Sequence, residues 1–393
     1  MVKVYASGKM TVKVSKKRRG FYSMGKAIDE ATFLEFYRDS ALNYSVAMKM
    51  AIRQKLQDEG KITFDKQTSL TDTDKFPMFF LDKRDIDAII TRTAMNSEFS
   101  NFYENWEFVK LYKYSVPLFF SKSEPLDKVL NKLGLQEFEE EKYKSPRILS
   151  SELKSAVPIY KKVGNNVIVK FVLQKSYFDI ANTTQTDYRY PVIIYFDVKT
   201  GFLEIRYDAF KYGSTFAGNN YEDIVNQSID WLKNTLHIKL FDCDHTDTID
   251  KIKDENDSSV KIYKQMMELS SGGSAELTAA QDRDYLLPFV GELRELISEN
   301  TDLFDKAPDI KQLLEQYLDD KEQTANYPYV YVNWVQPVVS QSYIVKITFD
   351  YLQGKYTVLQ HLTGTCKDLG MERMNDAIEY LCKSGSFTKG AKL

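Results

Sequence analysis

The sequence has few cysteines and no long apolar run. Its three cysteines, Cys243, Cys366 and Cys382, are an odd number and too few to cross-link a chain of 393 residues, so they are typical of free thiols in a reducing compartment. The longest apolar stretches reach about five residues, whereas a membrane-spanning helix needs about 20. The N-terminus lacks the apolar stretch of a signal peptide. We therefore expect a cytoplasmic protein that does not contact a membrane.

The motifs of common nucleotide-dependent and hydrolytic enzymes are also missing. The chain contains no G-x-x-x-x-G-K-[ST] loop, no G-x-G-x-x-G after a strand, no G-x-S-x-G elbow and no H-E-x-x-H helix. His237 and His245 flank Cys243, but the paired short spacings of a structural zinc site are absent. We therefore predict no metal and no cofactor.

What the sequence does contain is a segregated charge. Its 53 basic and 56 acidic residues give a net charge of −3, which excludes a uniformly basic coat for nucleic acid. The first 28 residues nevertheless hold eight basic residues and no acidic one. Because lysine and arginine neutralise phosphates and release condensed counterions, this segment predicts contacts with DNA or RNA. The residues concerned are Lys9, Lys13, Lys16, Lys17, Arg18, Arg19 and Lys26, with Phe21 and Tyr22 available for base stacking.

A charged terminus has a simpler interpretation, which is that it keeps the chain soluble or discourages pairing at a strand edge. The nucleic-acid hypothesis depends on whether the N-terminal lysines join other lysines in one groove. The candidates for that groove are Lys161, Lys162, Lys170 and Lys175.

Hydrophobic periodicity predicts an α+β fold. Apolar residues at spacings of three and four indicate one long helix over 29–59 and further helices over 86–95 and 99–109. Together with the basic N-terminal strand, these helices define a mainly helical region over residues 1–150.

Beyond residue 150 the period changes to that of antiparallel hairpins. Residues 151–241 are predicted as hairpins and a helix, 242–281 as an acidic connection containing serine and glycine, and 282–393 as helices, antiparallel strands and a C-terminal helix. The runs 193–205 and 345–358 each place an aromatic–Asp pair before a turn and lead towards a helix. Either ordinary turn chemistry or a duplicated ββα module explains this similarity.

A second functional hypothesis is a metal-dependent nuclease. Asp187, Asp197, Lys199 and Glu204 loosely match a D…(D/E)-x-K arrangement, with Asp197-Val198-Lys199 as its last part. In such a site carboxylates hold Mg²⁺ and help to orient water for attack on a phosphodiester. The same residue types are ordinary at a polar hairpin end, so the match has low specificity.

A third hypothesis is a protein-interaction subunit of a larger system. Outside the basic segment the chain is acidic, and the aromatic strand near residues 327–334 offers a surface for a partner. A bacterial or phage conflict system, such as antiviral defence, is compatible with this hypothesis. We take nucleic-acid association without catalysis, together with partner proteins, as the leading prediction.

Overall fold

A computed structural model describes residues 26–64, 75–145, 148–179, 183–211, 220–243, 249, 251–252, 259–268, 273–278, 288–324, 326–336, 341–351, 356–363, 370–384 and 389–392. Within these ranges the chain combines helices with a large antiparallel-dominated sheet, which confirms the predicted α+β class. None of the helices found there has the length and apolar character required to cross a bilayer.

Local capping sets where several helices begin. Asp29 and Ser45 accept hydrogen bonds from the backbone N–H groups of Thr32 and Met48, which starts two separate helices. The predicted single helix over 29–59 is therefore interrupted at residues 43–45. The helices are α1 Glu30–Leu42, α2 Val46–Asp58, α3 Ile86–Thr93, α4 Glu98–Val109, α5 Leu126–Lys132, α6 Tyr221–Asn234, α7 Pro288–Glu299, α8 Thr301–Phe304, α9 Pro308–Thr324 and α10 Glu372–Ser384.

The first four helices share one aromatic core. Their apolar faces converge because each helix repeats large residues at spacings of three and four. The buried members include Phe33, Tyr37, Ile52, Leu56, Ile90, Phe99, Phe102, Tyr103 and Trp106.

The strands include long hairpins and several short pairs. They are β1 Lys26–Ala27, β2 Ile62–Thr63, β3 Met78–Phe79, β4 Tyr114–Ser121, β5 Gln136–Glu137, β6 Ile148–Leu149, β7 Ile159–Val163, β8 Asn166–Asp179, β9 Thr184–Asp197, β10 Phe202–Tyr207, β11 Lys239–Cys243, β12 Val260–Glu268, β13 Ser274–Thr278, β14 Tyr329–Gln336, β15 Gln341–Asp350, β16 Tyr356–His361 and β17 Lys389–Lys392.

Thirteen of these strands form one sheet, and β4 lies at its centre. Eleven of them follow the order β13-β12-β14-β15-β16-β4-β10-β9-β8-β7-β5, while β11 pairs with β4 and β17 pairs with β11. One edge of β4 pairs along its length with β10. The other edge pairs with β16 at Tyr114 and Ser115 and with β11 at residues 119–121. A strand from the N-terminal region therefore joins the two hairpin systems that follow it in sequence.

Helices cover both faces of the central strands. One core places α6 residues such as Leu232 against Val169 and Ile205 of the sheet. The opposite core places Phe108 of α4 and Met374 of α10 against other residues of the same sheet. Because both faces are buried, these strands carry nearly continuous apolar runs rather than strict alternation.

The predicted acidic connection contains two strands of the large sheet. Residues 260–268 and 274–278 form β12 and β13, because alternating apolar residues such as Val260 and Ile262 turn one face of β12 towards the core. The two hairpin–helix units also lie in this sheet, but their origin by duplication stays a prediction.

Candidate anion-binding cleft

Most of the basic N-terminal residues predicted to contact nucleic acid lie outside the residues that the structure describes. This applies to Lys9, Lys13, Lys16, Lys17, Arg18 and Arg19. For Lys26 the structure describes the backbone, which pairs with Leu149 in the short β1–β6 ladder. The role of these seven basic residues in nucleic-acid binding therefore stays a prediction.

The four lysines considered for a common groove serve different purposes. Lys170 is fully buried and pairs with glutamates of α4. Lys161 donates to the side chain of Asn105 at 2.6 Å, and Lys162 pairs with Glu137 at 3.1 Å. Lys175 is half-buried, with its ammonium 6.0 Å from the Phe210 ring. Because Lys170 is enclosed in the core, these four lysines do not line one open groove.

The residues of the nuclease hypothesis occupy a turn and a buried ion pair. Asp197 Oδ1 accepts from the backbone N–H groups of Lys199 and Thr200, at 3.0 and 3.2 Å, as in an Asx turn. Glu204 is fully buried and accepts from Arg206 Nε at 2.8 Å. Over the described part of the chain, no group of three or more histidine, cysteine or acidic side chains is placed to hold a metal ion. This geometry lends the nuclease hypothesis no support.

A buried charge network attaches α4 to the sheet. Arg189 Nη2 lies 2.8 Å from both Glu104 and Glu107, and Lys170 lies 3.0 Å from Glu107. Lys170 and the Tyr37 hydroxyl also donate to Glu104. Burial alone would raise the pKa of Glu104, but Arg189 and Lys170 outweigh it and lower that pKa to about 2. Two cations and two carboxylates balance here, so the network carries no net charge.

A cleft of about 430 Å³ opens beside this network. Its lining comes from the α1–α2 connection, the residues before β4, strand β9, the segment after β10 and the end of β16. The side chains and backbone that line it include Tyr44, Met48, Lys113, Tyr188, Arg189, Tyr190, Asp208, Phe210, Lys211 and His361. The cleft thus collects residues from distant parts of the sequence.

Two lysines give the cleft its charge. Lys113 and Lys211 are both half-buried, and burial lowers the pKa of each ammonium group. Among the residues placed by the structure, no carboxylate lies within ion-pair distance of either ammonium. Asp208, the acidic group of the cleft, pairs with the buried Lys110 at 2.5 Å, and its charge also opposes the effect of burial on the pKa of Lys211. An ammonium that is partly desolvated and makes no direct ion pair is a receptor for an anion.

Aromatic residues line the same cleft. Tyr190 stacks on Phe210 with ring centres 4.9 Å apart and planes at 21°, and Phe210 stacks on Tyr221 at 4.6 Å and 16°. The Lys211 ammonium lies 5.6 Å from the Tyr44 ring. Tyr190 is buried and Phe210 stacks on both Tyr190 and Tyr221, so the half-buried Tyr44 beside Lys211 offers the aromatic surface of the cleft. Positive charge beside such a ring suits a ligand that has both an anionic group and a planar ring.

His361 closes one side of the cleft without forming a catalytic base. Its Nε2 lies 3.0 Å from Ser115 Oγ, and its Nδ1 lies 2.7 Å from the Tyr343 hydroxyl. Serine and histidine at this distance resemble a nucleophile and its base. Burial, aided by the positive charges of Arg206 and Lys113, lowers the pKa of His361 to about 3. Such an imidazole is too weak a base to activate serine at neutral pH.

Sequence reasoning missed the lysines of the cleft. Lys113 and Lys211 are far apart in the chain and stand outside any basic run, so local charge patterns do not single them out. The only local signal is that Lys211 follows a predicted strand. Comparison with protein-family models, curated proteins and solved structures found no match to this chain.

Proposed function

We propose that this protein binds single-stranded nucleic acid without catalysis. The observation that supports this most strongly is the pair of half-buried lysines, Lys113 and Lys211, that line one cleft together with aromatic residues. Phosphates would accept from the two ammonium groups, and a base would stack on the half-buried Tyr44 ring, which lies 5.6 Å from the Lys211 ammonium. A single strand fits this arrangement because its bases are free to leave their neighbours, whereas those of a duplex are stacked and paired.

Desolvation explains why an anion would bind here. Each half-buried ammonium has lost part of its hydration, which is reflected in its lowered pKa. A phosphate oxygen restores a charge-assisted hydrogen bond in a site where screening by water is reduced. Because Lys110 neutralises Asp208, that carboxylate opposes the incoming phosphate less strongly. The basic N-terminal residues, from Lys9 to Lys26, would add phosphate contacts outside the cleft.

Binding is tested by fluorescence anisotropy with a labelled 15-nucleotide oligothymidylate over a range of salt concentrations. We expect the double variant Lys113→Ala/Lys211→Ala to bind at least tenfold more weakly than the parent. Each lost phosphate contact lowers the steepness of log K against log salt by about 0.7, so the slope should flatten by about 1.4. The matched control is Lys128→Ala/Lys199→Ala, which removes the same charge from two exposed sites away from the cleft.

Two further comparisons separate the contributions. An abasic oligomer of the same length should bind more weakly than oligothymidylate, because it retains the phosphates but has no base to stack. The N-terminal variant Lys16→Ala/Lys17→Ala/Arg18→Ala/Arg19→Ala should also weaken binding and flatten its salt dependence. The proposal fails if the parent does not bind at low salt, or if the cleft variant and its matched control bind equally well.

A further inference from the structure

A small helical unit is inserted between β13 and β14. It consists of α7, α8 and α9, residues 288–324. Among the side chains described for this unit, only Ile297 and Leu318 are buried, with Leu293, Phe304 and Leu314 packed partly against them. Among these described side chains the core is small, and several large apolar side chains lie outside it.

Several large apolar side chains of this unit face solvent. Leu303 is 64% exposed, Ile310 55% and Leu313 67%. Ile310 and Leu313 are three residues apart on α9, so they lie on the same face of that helix. Leu296 of α7 is also exposed, at 51%. Single exposed leucines are common on protein surfaces, but this concentration within one short unit indicates an interaction surface.

The same unit is strongly acidic. Residues 288–324 contain ten acidic and four basic residues. Asp302 adjoins Leu303, and Asp309 lies one helical turn before Leu313, while Lys311 pairs with Asp305 at 3.8 Å. We call the exposed Leu303, Ile310 and Leu313, together with these neighbouring carboxylates, the acidic helical face. Anionic lipid, nucleic acid and a second copy of the same face would each meet electrostatic repulsion here.

We propose that the acidic helical face binds a basic amphipathic helix of a partner protein. Apolar side chains of the partner would cover Ile310 and Leu313, and lysine or arginine side chains beside them would pair with the surrounding carboxylates. Charge complementarity selects this class of partner, and burial of the exposed apolar groups supplies the driving force. The surface is separate from the cleft, so this interaction does not depend on nucleic-acid binding.

The probes are two synthetic 14-residue helical peptides with the same leucine positions. In one peptide the polar positions are lysine, and in the other they are glutamate. Binding to the full chain is measured by isothermal titration calorimetry. We expect the lysine peptide to bind and the glutamate peptide to bind at least tenfold more weakly.

The double variant Ile310→Ser/Leu313→Ser leaves every charge in place. It should weaken binding of the lysine peptide at least tenfold, while circular dichroism stays unchanged because both side chains are exposed. The control variant Val46→Ser/Leu81→Ser alters two side chains that are 63% and 82% exposed elsewhere, and it should bind like the parent. Equal affinity of the parent and the Ile310→Ser/Leu313→Ser variant would overturn the proposal.

Two more variants test whether the peptide binds at the acidic helical face alone. The Lys113→Ala/Lys211→Ala variant should bind the peptide like the parent, because neither lysine belongs to the acidic helical face. Peptide binding and oligonucleotide binding are therefore tested independently, and one proposal can fail while the other holds. Peptide binding that appears only in the Lys16→Ala/Lys17→Ala/Arg18→Ala/Arg19→Ala variant would show that the chain's own basic segment occupies the face. That result would overturn the assignment to an external partner.

Discussion

The buried network between α4 and the sheet makes a quantitative prediction for Arg189→Met. Arg189 holds two carboxylates, with Nη2 at 2.8 Å from Glu104 and Glu107 and with Nε at 3.1 Å from Glu107. Without the guanidinium, these two carboxylates share the single ammonium of Lys170. Methionine retains much of the aliphatic length of arginine, so the main change is the lost charge and its hydrogen bonds.

The expected decrease in the free energy of unfolding follows from the cost of leaving a buried charge without its partner. Removing one partner of a buried ion pair destabilises a protein by about 3–5 kcal/mol. The Arg189 guanidinium also lies 3.9 Å from the centre of the Tyr37 ring, and losing this cation–π contact adds about 1 kcal/mol. The double variant Arg189→Met/Glu104→Gln removes one charge of each sign. It should be about 2 kcal/mol more stable than Arg189→Met, because one ammonium then faces one carboxylate.

Urea unfolding followed by tryptophan fluorescence measures both variants, and Trp106 reports from α4 itself. The control is Arg84→Met, because the side chain of Arg84 is 86% exposed and pairs only at the surface; its midpoint should match that of the parent. The reasoning is refuted if Arg189→Met unfolds at the same urea concentration as the parent. It is also refuted if the double variant is no more stable than Arg189→Met.

Three further outcomes are expected. The pKa of Glu104 is about 2 in the folded protein, against an ordinary 4.5. The ionised carboxylate therefore adds about 3 kcal/mol to the free energy of unfolding above pH 4.5, and this stabilisation is lost as pH falls towards 2. Acid unfolding of the Glu104→Gln variant should lack this pH-dependent part. As pH rises, Lys113 and Lys211 should lose their positive charge at a lower pH than ordinary lysines do, because their pKa is lowered. Oligothymidylate binding should therefore weaken below pH 10.5, and an affinity that stays constant up to pH 10.5 would contradict this. Incubation of plasmid with the parent and Mg²⁺ or Mn²⁺ should give no cleavage, and cleavage that disappears in Asp197→Ala would instead support the nuclease hypothesis.

Local features of the fold were accessible from the sequence because their causes are local. The apolar spacing within α4 and α6 predicts helices, and the Lys199–Gly201 turn predicts the β9–β10 hairpin. Gly201 meets that turn's need for a positive φ, which is +75° in the structure. Where two local signals competed, prediction was less accurate: the apolar stripe over 29–59 continues past Ser45, but capping by that serine separates two helices.

The candidate cleft was not accessible in the same way. Lys170 was a candidate for an open groove, yet the structure buries it against Glu104 and Glu107 of α4. Lys113 and Lys211 were inconspicuous, yet the packing brings both into one cleft. The role of a lysine depends on which acidic groups lie near it in space, and sequence distance carries little information about that.

The sequence by itself determined the α+β class, the positions of most helices and hairpins, and the separation of a basic N-terminal segment from an acidic body. These properties depend on residue spacing and composition. Only the tertiary structure decided that the two hairpin systems form one sheet through β4, and which lysines are neutralised and which face a cleft. The physical reason is that strand pairing and ion pairing join residues distant in sequence, and burial then determines which of the remaining charges lack a partner.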